Sequence, residues 1–169
     1  MIRPIVKYGD TVLAKSAEEV NEFGPELTRL VEDMFETMYA APGVGLAAPQ
    51  IGISKRVFVM DCAARKEDAR KYAVINPVIQ LREGEQEGGE GCLSVPGFSF
   101  DIKRAKHVIV SGLDVKGDPI RLDVTDLEAR CVSHEVDHLD GKLLLSRVSP
   151  LKRDMTIRKI KKKIRDGEW

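Results

Sequence analysis

Residues 134–141 read His-Glu-Val-Asp-His-Leu-Asp-Gly, so two histidines stand four positions apart with a glutamate directly after the first. Because an α-helix turns about 100° per residue, His134 and His138 lie about 40° apart on one face, one turn along the helix. Both imidazoles can therefore bind one metal ion, while Glu135 can reach a water molecule beside that ion. The pattern predicts a helix that carries two metal ligands and a general acid or base, as metal-assisted hydrolases require.

Two histidines do not complete a metal site, so a third ligand has to come from another residue. The extended pattern with a third histidine is excluded, because Leu144 stands at that position. Glu168 is the only glutamate after Glu135, and its place in a basic tail makes it a poor ligand. We expect Asp137 and Asp140 to point away from the ligand face of the helix.

Cys92 is the favoured third ligand among the cysteines of the chain. It follows the glycine-rich run 88–91, whose backbone can adopt unusual φ and ψ angles and approach a ligand closely. One thiolate and two imidazoles would leave the fourth position of a tetrahedral site open, which is typical of a catalytic site. Cys131 and His107 remain less favoured alternatives, and Cys62 is expected to lie in the core.

A second glycine-rich segment, residues 43–50, reads Gly-Val-Gly-Leu-Ala-Ala-Pro-Gln. It lacks the lysine and hydroxyl residue of a phosphate-binding loop and does not fit the order of a dinucleotide-binding fingerprint. A turn alone would account for such a segment equally well. Gln50 is the residue of interest, because an amide N–H aimed into a metal site can stabilise a developing oxyanion.

Three segments resemble, in order and spacing, the signature motifs of the peptide deformylase family: Gly-Val-Gly-Leu-Ala-Ala-Pro-Gln (43–50), Glu-Gly-Cys-Leu-Ser (90–94) and His-Glu-Val-Asp-His (134–138). The resemblance extends from the N-terminal helix to Arg147. One departure is Ser133, since the family usually has glutamine immediately before the first histidine. This change affects hydrogen bonding around the ligands rather than the ligands themselves. Arg130 is a further polar residue beside the expected substrate pocket.

The resemblance implies an enzyme that removes the N-formyl group from the formyl-methionine of newly synthesised polypeptides and releases formate. It implies that Cys92, His134 and His138 bind one divalent metal ion. Glu135 would move a proton from the attacking water to the leaving amine. A thiolate with two imidazoles suggests Zn²⁺ by ligand chemistry alone. The family resemblance instead implies Fe²⁺, with Zn²⁺, Ni²⁺ or Co²⁺ as substitutes.

The same resemblance implies roles for residues around the substrate. The Gln50 side chain and the Leu93 backbone N–H would stabilise negative charge on the formyl oxygen. Gly45 has no side chain, so its backbone would lie against the backbone of the substrate as an added strand does. The methionine side chain would be held by a group of residues that includes Val44, Leu127 and Cys131.

The rest of the sequence predicts an α+β fold, with short, mostly antiparallel strands in small sheets around a central metal-binding helix and helices at both ends. Residues 25–40 predict a helix with one apolar stripe, and residues 82–91 predict a loop. Strands are expected at 56–61, at 72–81 with a break at Pro77, and in a hairpin at 107–115 and 119–124. The length of 169 residues fits one catalytic domain, residues 1–169.

Charge and hydropathy limit the possible partners. The 27 basic and 27 acidic residues give no net charge, and nothing indicates sequence-specific binding of nucleic acid. The sequence has no secretory signal and no apolar run that could span a membrane, so we expect a cytoplasmic protein without a membrane partner. Residues 151–169 predict a basic amphipathic helix, which either presents a solvated face or contacts an acidic surface such as ribosomal RNA near the exit site.

Two other functions remain open on the sequence alone. A metallopeptidase of the H-E-x-x-H type would use the same water-and-glutamate chemistry, although no third histidine or suitable glutamate lies downstream. An inactive homologue that binds N-termini would need neither Glu135 nor Gln50, yet both are present.

Overall fold

The computed structural model describes residues 1–63 and 70–169. Within these residues it has three α-helices, α1 (Pro25–Ala40), α2 (Asp126–Leu139) and α3 (Pro150–Arg165). The strands of the same residues are β1 (Gly45–Ala47), β2 (Val57–Met60), β3 (Tyr72–Glu83), β4 (Gln86–Gly91), β5 (Ser99–Arg104), β6 (His107–Leu113) and β7 (Pro119–Thr125). Short 3₁₀ helices lie at Thr11–Ala14, Ala48–Ile51 and Leu144–Arg147.

The strands form two antiparallel sheets. The larger sheet has the order β1-β2-β3-β6-β7, and β4 pairs only with β5 within the described residues. The predicted hairpin is confirmed, since β6 pairs with β7 from His107 opposite Thr125 to Leu113 opposite Pro119. Short antiparallel strands with separate helices confirm the predicted α+β class.

Strand β2 separates two apolar clusters. Successive side chains of a strand point to opposite faces, so Phe58 and Met60 pack in the cluster that contains α2, while Val57 and Val59 pack in the cluster that contains α1. All four side chains are fully buried. The two helices therefore cover opposite faces of the five-stranded sheet, and α2 is held at the centre of the molecule.

Two of the predicted assignments of secondary structure are wrong. The expected loop at 82–91 is occupied by the end of β3 and by β4, which pairs with β5 from Gln86 opposite Arg104 to Gly91 opposite Ser99. Tertiary pairing here overrides the low strand preference of glycine. Strand β3 also continues past Pro77, because an irregularity in its pairing with β6 at that point accommodates the residue without a backbone N–H.

Helix α3 confirms the predicted basic amphipathic helix, with ends at 150 and 165 rather than 151 and 169. The side chain of Ser149 accepts a hydrogen bond from the backbone N–H of Lys152 (3.3 Å) and caps the helix. Thr156 and Ile160 are buried, and lysines occupy much of the exposed face. No helix in the described part of the chain is long and apolar enough to cross a membrane.

Candidate active site

The three predicted metal ligands come together at the junction of the two sheets and α2. Cys92 directly follows β4, and both histidines lie on α2. One ligand atom from each of Cys92, His134 and His138 lies within 4.8 Å of the other two. The Sγ atom of Cys92 is 3.3 Å from Nε2 of His138. Among the described residues this is the only such group of three, so neither His107 nor Cys131 completes a comparable set.

The chemistry of this donor set fits a divalent metal ion. Burial alone would raise the pKa of Cys92, but the two imidazoles beside the sulfur lower it to about 5. Cys92 is therefore a thiolate at neutral pH, which is the form that binds a metal. One thiolate and two imidazoles can hold a tetrahedral ion with one position open for a reactant.

Glu90 holds His134 in the orientation that a ligand needs. Its Oε1 atom is 2.8 Å from Nδ1 of His134, so this ring nitrogen donates to the carboxylate and Nε2 is left for a metal. Arg104 donates to both oxygens of Glu90 at 2.9 Å, and Arg130 donates to Oε2 at 2.6 Å. Burial alone would raise the pKa of Glu90, yet Arg104 and His134 lower it to about 2, so Glu90 is ionised.

Arg104 also connects the ligand helix to the rest of the fold. Its Nη1 donates to Oδ2 of Asp137 at 2.7 Å, and Arg147 donates to both oxygens of the same aspartate. These bonds confirm that Asp137 points away from the metal ligands. A carboxylate that receives two guanidinium groups fixes the rotation of α2, because each guanidinium comes from a different part of the chain.

Glu135 has the surroundings of a proton-transfer residue. It is 1% exposed, and its Oε2 atom has no hydrogen-bond partner in the described residues. Its Oε1 lies 3.8 Å from Nε2 of His134, which is the nitrogen that faces the ligand cluster. Burial raises the pKa of this carboxyl above its ordinary value. A carboxylate with a raised pKa accepts a proton more readily, which suits a general base.

The amide of Gln50 is aimed at the same cluster. Its Oε1 accepts a hydrogen bond from the backbone N–H of Ala47 at 2.9 Å, which orients the NH₂ group. The Nε2 atom then donates to Oγ of Ser94 at 3.2 Å and toward Sγ of Cys92 at 3.6 Å. The glycine-rich segment 43–50 is thus more than a turn: β1 and a 3₁₀ helix place Gln50 beside the ligands.

A cavity of about 1320 Å³ opens beside these groups. It is lined by nearly all of the predicted site residues: Val44, Gly45, Gln50, Cys92, Leu93, Leu127, Cys131, His134 and Glu135. His138 lies behind this wall and is 1% exposed. Cys62 also lines the cavity and is only half-buried, so its predicted place in the core is only partly right, although it packs against the apolar cluster of α2.

Comparison with known proteins agrees with this geometry. A family model described as polypeptide deformylase matches residues 2–154. The chain belongs to the polypeptide deformylase family. A peptide deformylase of Acidobacterium capsulatum is 51% identical over 169 residues, which cover 100% of this chain and 99% of the relative.

Solved deformylase structures share the fold along nearly the whole chain. A crystal structure of a peptide deformylase from Legionella pneumophila has a TM-score of 0.91 at 45% identity and covers 99% of this chain and 98% of that one. A peptide deformylase from Ehrlichia chaffeensis in complex with actinonin has a TM-score of 0.89 at 39% identity, with 96% and 97% covered. The family assignment that the three motifs predicted is therefore confirmed.

Three residues of this deformylase site had no predicted role in holding the ligands. Glu90 was part of a motif without a role, and Arg104 and Asp137 were not connected to it. The signal for Arg104 is its register: in β5 the buried positions are Phe100, Ile102 and Arg104, so an arginine occupies the face of a strand that turns inward. Such a buried cation requires an acidic partner.

Proposed function

We propose that the protein hydrolyses the formamide bond of N-formyl-methionyl nascent peptides and releases formate and a free N-terminal amine. The observation that carries this proposal is the convergence at one cavity of a Cys/His/His cluster, an oriented amide and a buried carboxylate, one oxygen of which has no hydrogen-bond partner among the described residues. The family of the chain agrees with this reaction. A structural metal site would require neither Glu135 nor Gln50 beside it.

The metal would be held by Cys92, His134 and His138. When bound, a divalent ion polarises the formyl carbonyl and makes water a better nucleophile. Glu135 would accept the proton of the attacking water through Oε2, which has no hydrogen-bond partner in the described part of the chain, and deliver it to the departing amine nitrogen. The buried Glu90 keeps the ring of His134 oriented during these steps.

Two N–H groups would stabilise the oxygen of the formyl group as it gains negative charge. One belongs to the Gln50 side chain, which the contact with Ala47 orients toward the ligands. The other is the backbone N–H of Leu93, for which the described residues offer no backbone or side-chain acceptor. Donors that are fixed in place before the reaction cost nothing to reorient, and one such donor is worth about 10²–10³ in rate.

The substrate backbone would pair with β1. This strand lies at the edge of the five-stranded sheet, so its outer side can accept another strand. Gly45 belongs to this edge and lines the cavity. The methionine side chain would then enter the pocket formed by Val44, Leu127 and Cys131, in which Val44 and Leu127 are the exposed residues at the mouth.

We propose Fe²⁺ as the working metal, with Zn²⁺, Ni²⁺ or Co²⁺ as substitutes. A thiolate and two imidazoles bind all four ions, so the donor set alone does not choose between them. Metal analysis of protein purified without oxygen, combined with reconstitution by each ion and a formate-release assay, decides which ion supports activity.

We further propose that residues 1–169 act as one catalytic domain in the cytoplasm, with α3 as a contact to the ribosome near the exit site. The support is the exposed basic face of α3. Salt-dependent binding to ribosomes that weakens when Lys161, Lys162 and Lys163 are replaced by glutamine would support this contact. Equal binding by the triple variant would contradict it.

The reaction is tested with three peptides that share one sequence and differ only at the N-terminus. We expect formate release from the N-formyl-methionyl peptide and no cleavage of its N-acetylated or unblocked forms. A metallopeptidase would instead cleave an internal peptide bond of the unblocked peptide. That result, without formate release, would contradict the proposed function.

A further inference from the structure

Two thiols that take no part in the proposed chemistry lie at the wall of the cavity. Cys62 and Cys131 both line the cavity, and each is a free cysteine. Cys92, the third cysteine of the chain, belongs to the ligand cluster. A bound metal would therefore occupy Cys92 and leave the other two thiols available for reaction with small solutes.

The backbone just before β1 brings these two cysteines together. The carbonyl oxygen of Val44 accepts a hydrogen bond from the backbone N–H of Asp61 at 2.8 Å, directly before Cys62. The Sγ atom of Cys131 lies 3.7 Å from the same carbonyl oxygen. One backbone carbonyl thus contacts the sulfur of one cysteine and the residue that precedes the other.

The side chains of both cysteines pack in the apolar cluster of α2. Met60 at the end of β2 belongs to this cluster, and Cys62, two residues later, packs against it as the alternation of a strand requires. Cys131 is a buried member of the same cluster. A hydrogen bond between the two thiols lowers the pKa of Cys62 and raises that of Cys131. Cys62 is therefore the better nucleophile of the pair.

We propose that Cys62 and Cys131 form an oxidation site, at which hydrogen peroxide produces a reversible disulfide that narrows the methionine pocket and lowers activity. The effect on activity rests on the proposed deformylase function, in which Cys131 lines that pocket. Formation of the disulfide itself does not depend on that function, so the two parts are measured separately.

The oxidation balances with hydrogen peroxide as the oxidant. The Cys62 thiolate attacks one peroxide oxygen, the O–O bond breaks, and the departing hydroxide takes the proton that the thiol has lost to become water. The sulfur of Cys131 then attacks the sulfenic acid at Cys62: the S–S bond forms, the S–O bond breaks, and the hydroxyl leaves as water with the Cys131 proton. Two thiols are oxidised and one peroxide is reduced to two waters. A dithiol reductant reverses the bond by exchange.

The disulfide would act through the shape of the pocket. A covalent S–S bond of about 2 Å replaces a non-covalent contact between the sulfurs, so it draws α2 and the residues after β2 together. Cys131 then leaves its place in the wall that receives the methionine side chain. A misfit of one methylene group in an apolar pocket is worth about 10–200-fold in kcat/KM. A substrate with a short first side chain should be affected less.

The bond is tested by mass spectrometry on the Zn²⁺-loaded protein, because Zn²⁺ has no redox chemistry of its own. The protein is treated with hydrogen peroxide, remaining thiols are blocked with iodoacetamide, and trypsin then places the three cysteines in separate peptides, 57–65, 83–103 and 131–142. We expect 57–65 linked to 131–142 with the loss of two hydrogen atoms, and release by dithiothreitol. No such link in wild type, or a link that involves 83–103 instead, would overturn the proposal.

Activity is measured on the same samples with Cys62→Ala as the matched control. The kcat/KM for an N-formyl-methionyl peptide should fall about tenfold or more in the linked wild type, fall less for an N-formyl-alanyl peptide, and return with dithiothreitol. Cys62→Ala should keep its activity after the same treatment. Unchanged activity of the linked protein, or an equal loss in Cys62→Ala, would overturn the proposal. No formate from reduced wild type would defeat the proposed function, while the linked peptide would still decide the oxidation site.

Discussion

Gly45 and Cys131 are in contact so close that no side chain fits between them. A Cβ on Gly45 would lie 2.7 Å from Sγ of Cys131 and 3.2 Å from Cγ and Cδ of Glu135. Strand β1 and helix α2 approach each other here because one of the two residues is glycine. The edge that would receive the substrate and the carboxylate that would move its proton are therefore placed by one contact.

Replacing this glycine tests that contact. We expect Gly45→Ala to lose about 1–3 kcal/mol of unfolding free energy, because the added methyl group overpacks the space before Cys131. Its kcat/KM should also fall, since Glu135 has to move. Urea unfolding and formate release measure the two effects. Gly24→Ala, where no atom lies within 4 Å of the added Cβ, is the control. Wild-type stability and activity in Gly45→Ala would show that the contact is not tight.

The two cysteines at the cavity should differ in their effect on the metal. Cys92→Ala removes the thiolate of the ligand cluster, so the purified variant should contain little metal. Cys62→Ala should keep a full complement, because Cys62 is not part of the cluster. Metal analysis of both variants, prepared side by side, checks this expectation. Full metal content in Cys92→Ala would contradict the assignment of the ligand.

Glu90 is expected to support metal binding without touching the ion. Glu90→Gln removes the charge that orients His134 and that pairs with Arg104, so metal affinity should fall about 10–100-fold. Glu87→Gln, an exposed position on the same strand, is the matched control. Competition with a chelator measures both affinities. Equal metal affinity of Glu90→Gln and Glu87→Gln would contradict this role of Glu90.

His107 should make stability depend on pH, although it lies outside the ligand cluster found among the described residues. Asp123 on β7 and Glu83 on β3 raise its pKa above the ordinary 6.5. The protonated imidazole therefore stabilises the folded state, and this contribution is complete below the ordinary pKa of 6.5. It is lost as pH rises through the pKa of the folded state. Urea unfolding of wild type and His107→Gln measures this effect. The free energy of unfolding of wild type should exceed that of the variant by a larger amount at about pH 5.5 than at about pH 9. An equal difference at both values would contradict this.

Local sequence signals predicted part of the fold and could not predict the rest. Helix α1 has the predicted ends, 25 and 40, because Pro25 and the apolar stripe act within the segment itself. Strand β4 was missed because its residues are mostly glycine and glutamate, and only pairing with β5 makes it a strand. The signals for α1 lie within the helix itself, whereas β4 depends on pairing with a later strand, which leaves no local pattern in its own sequence.

The same distinction between local signals and contacts of distant segments applies to the residues of the site. His134 and Glu135 could be predicted because helical spacing fixes their geometry, and Cys92 because ligand chemistry restricts the residue types that can complete the site. The bonds of Glu90 to Arg104 and Arg130 connect residues 14 and 40 positions apart, and no spacing rule indicates them. This network can be recognised only from the folded structure, in which β4, β5 and α2 lie next to one another.

The most direct test of the central claim compares wild type with Glu135→Gln at equal metal content. Glutamine keeps the size of the side chain and leaves Cys92, His134 and His138 in place, so the variant should bind metal normally. It cannot take up the proton, and formate release from an N-formyl-methionyl peptide should fall by about 10²–10⁴. Formate release at the wild-type rate from metal-loaded Glu135→Gln would contradict the account.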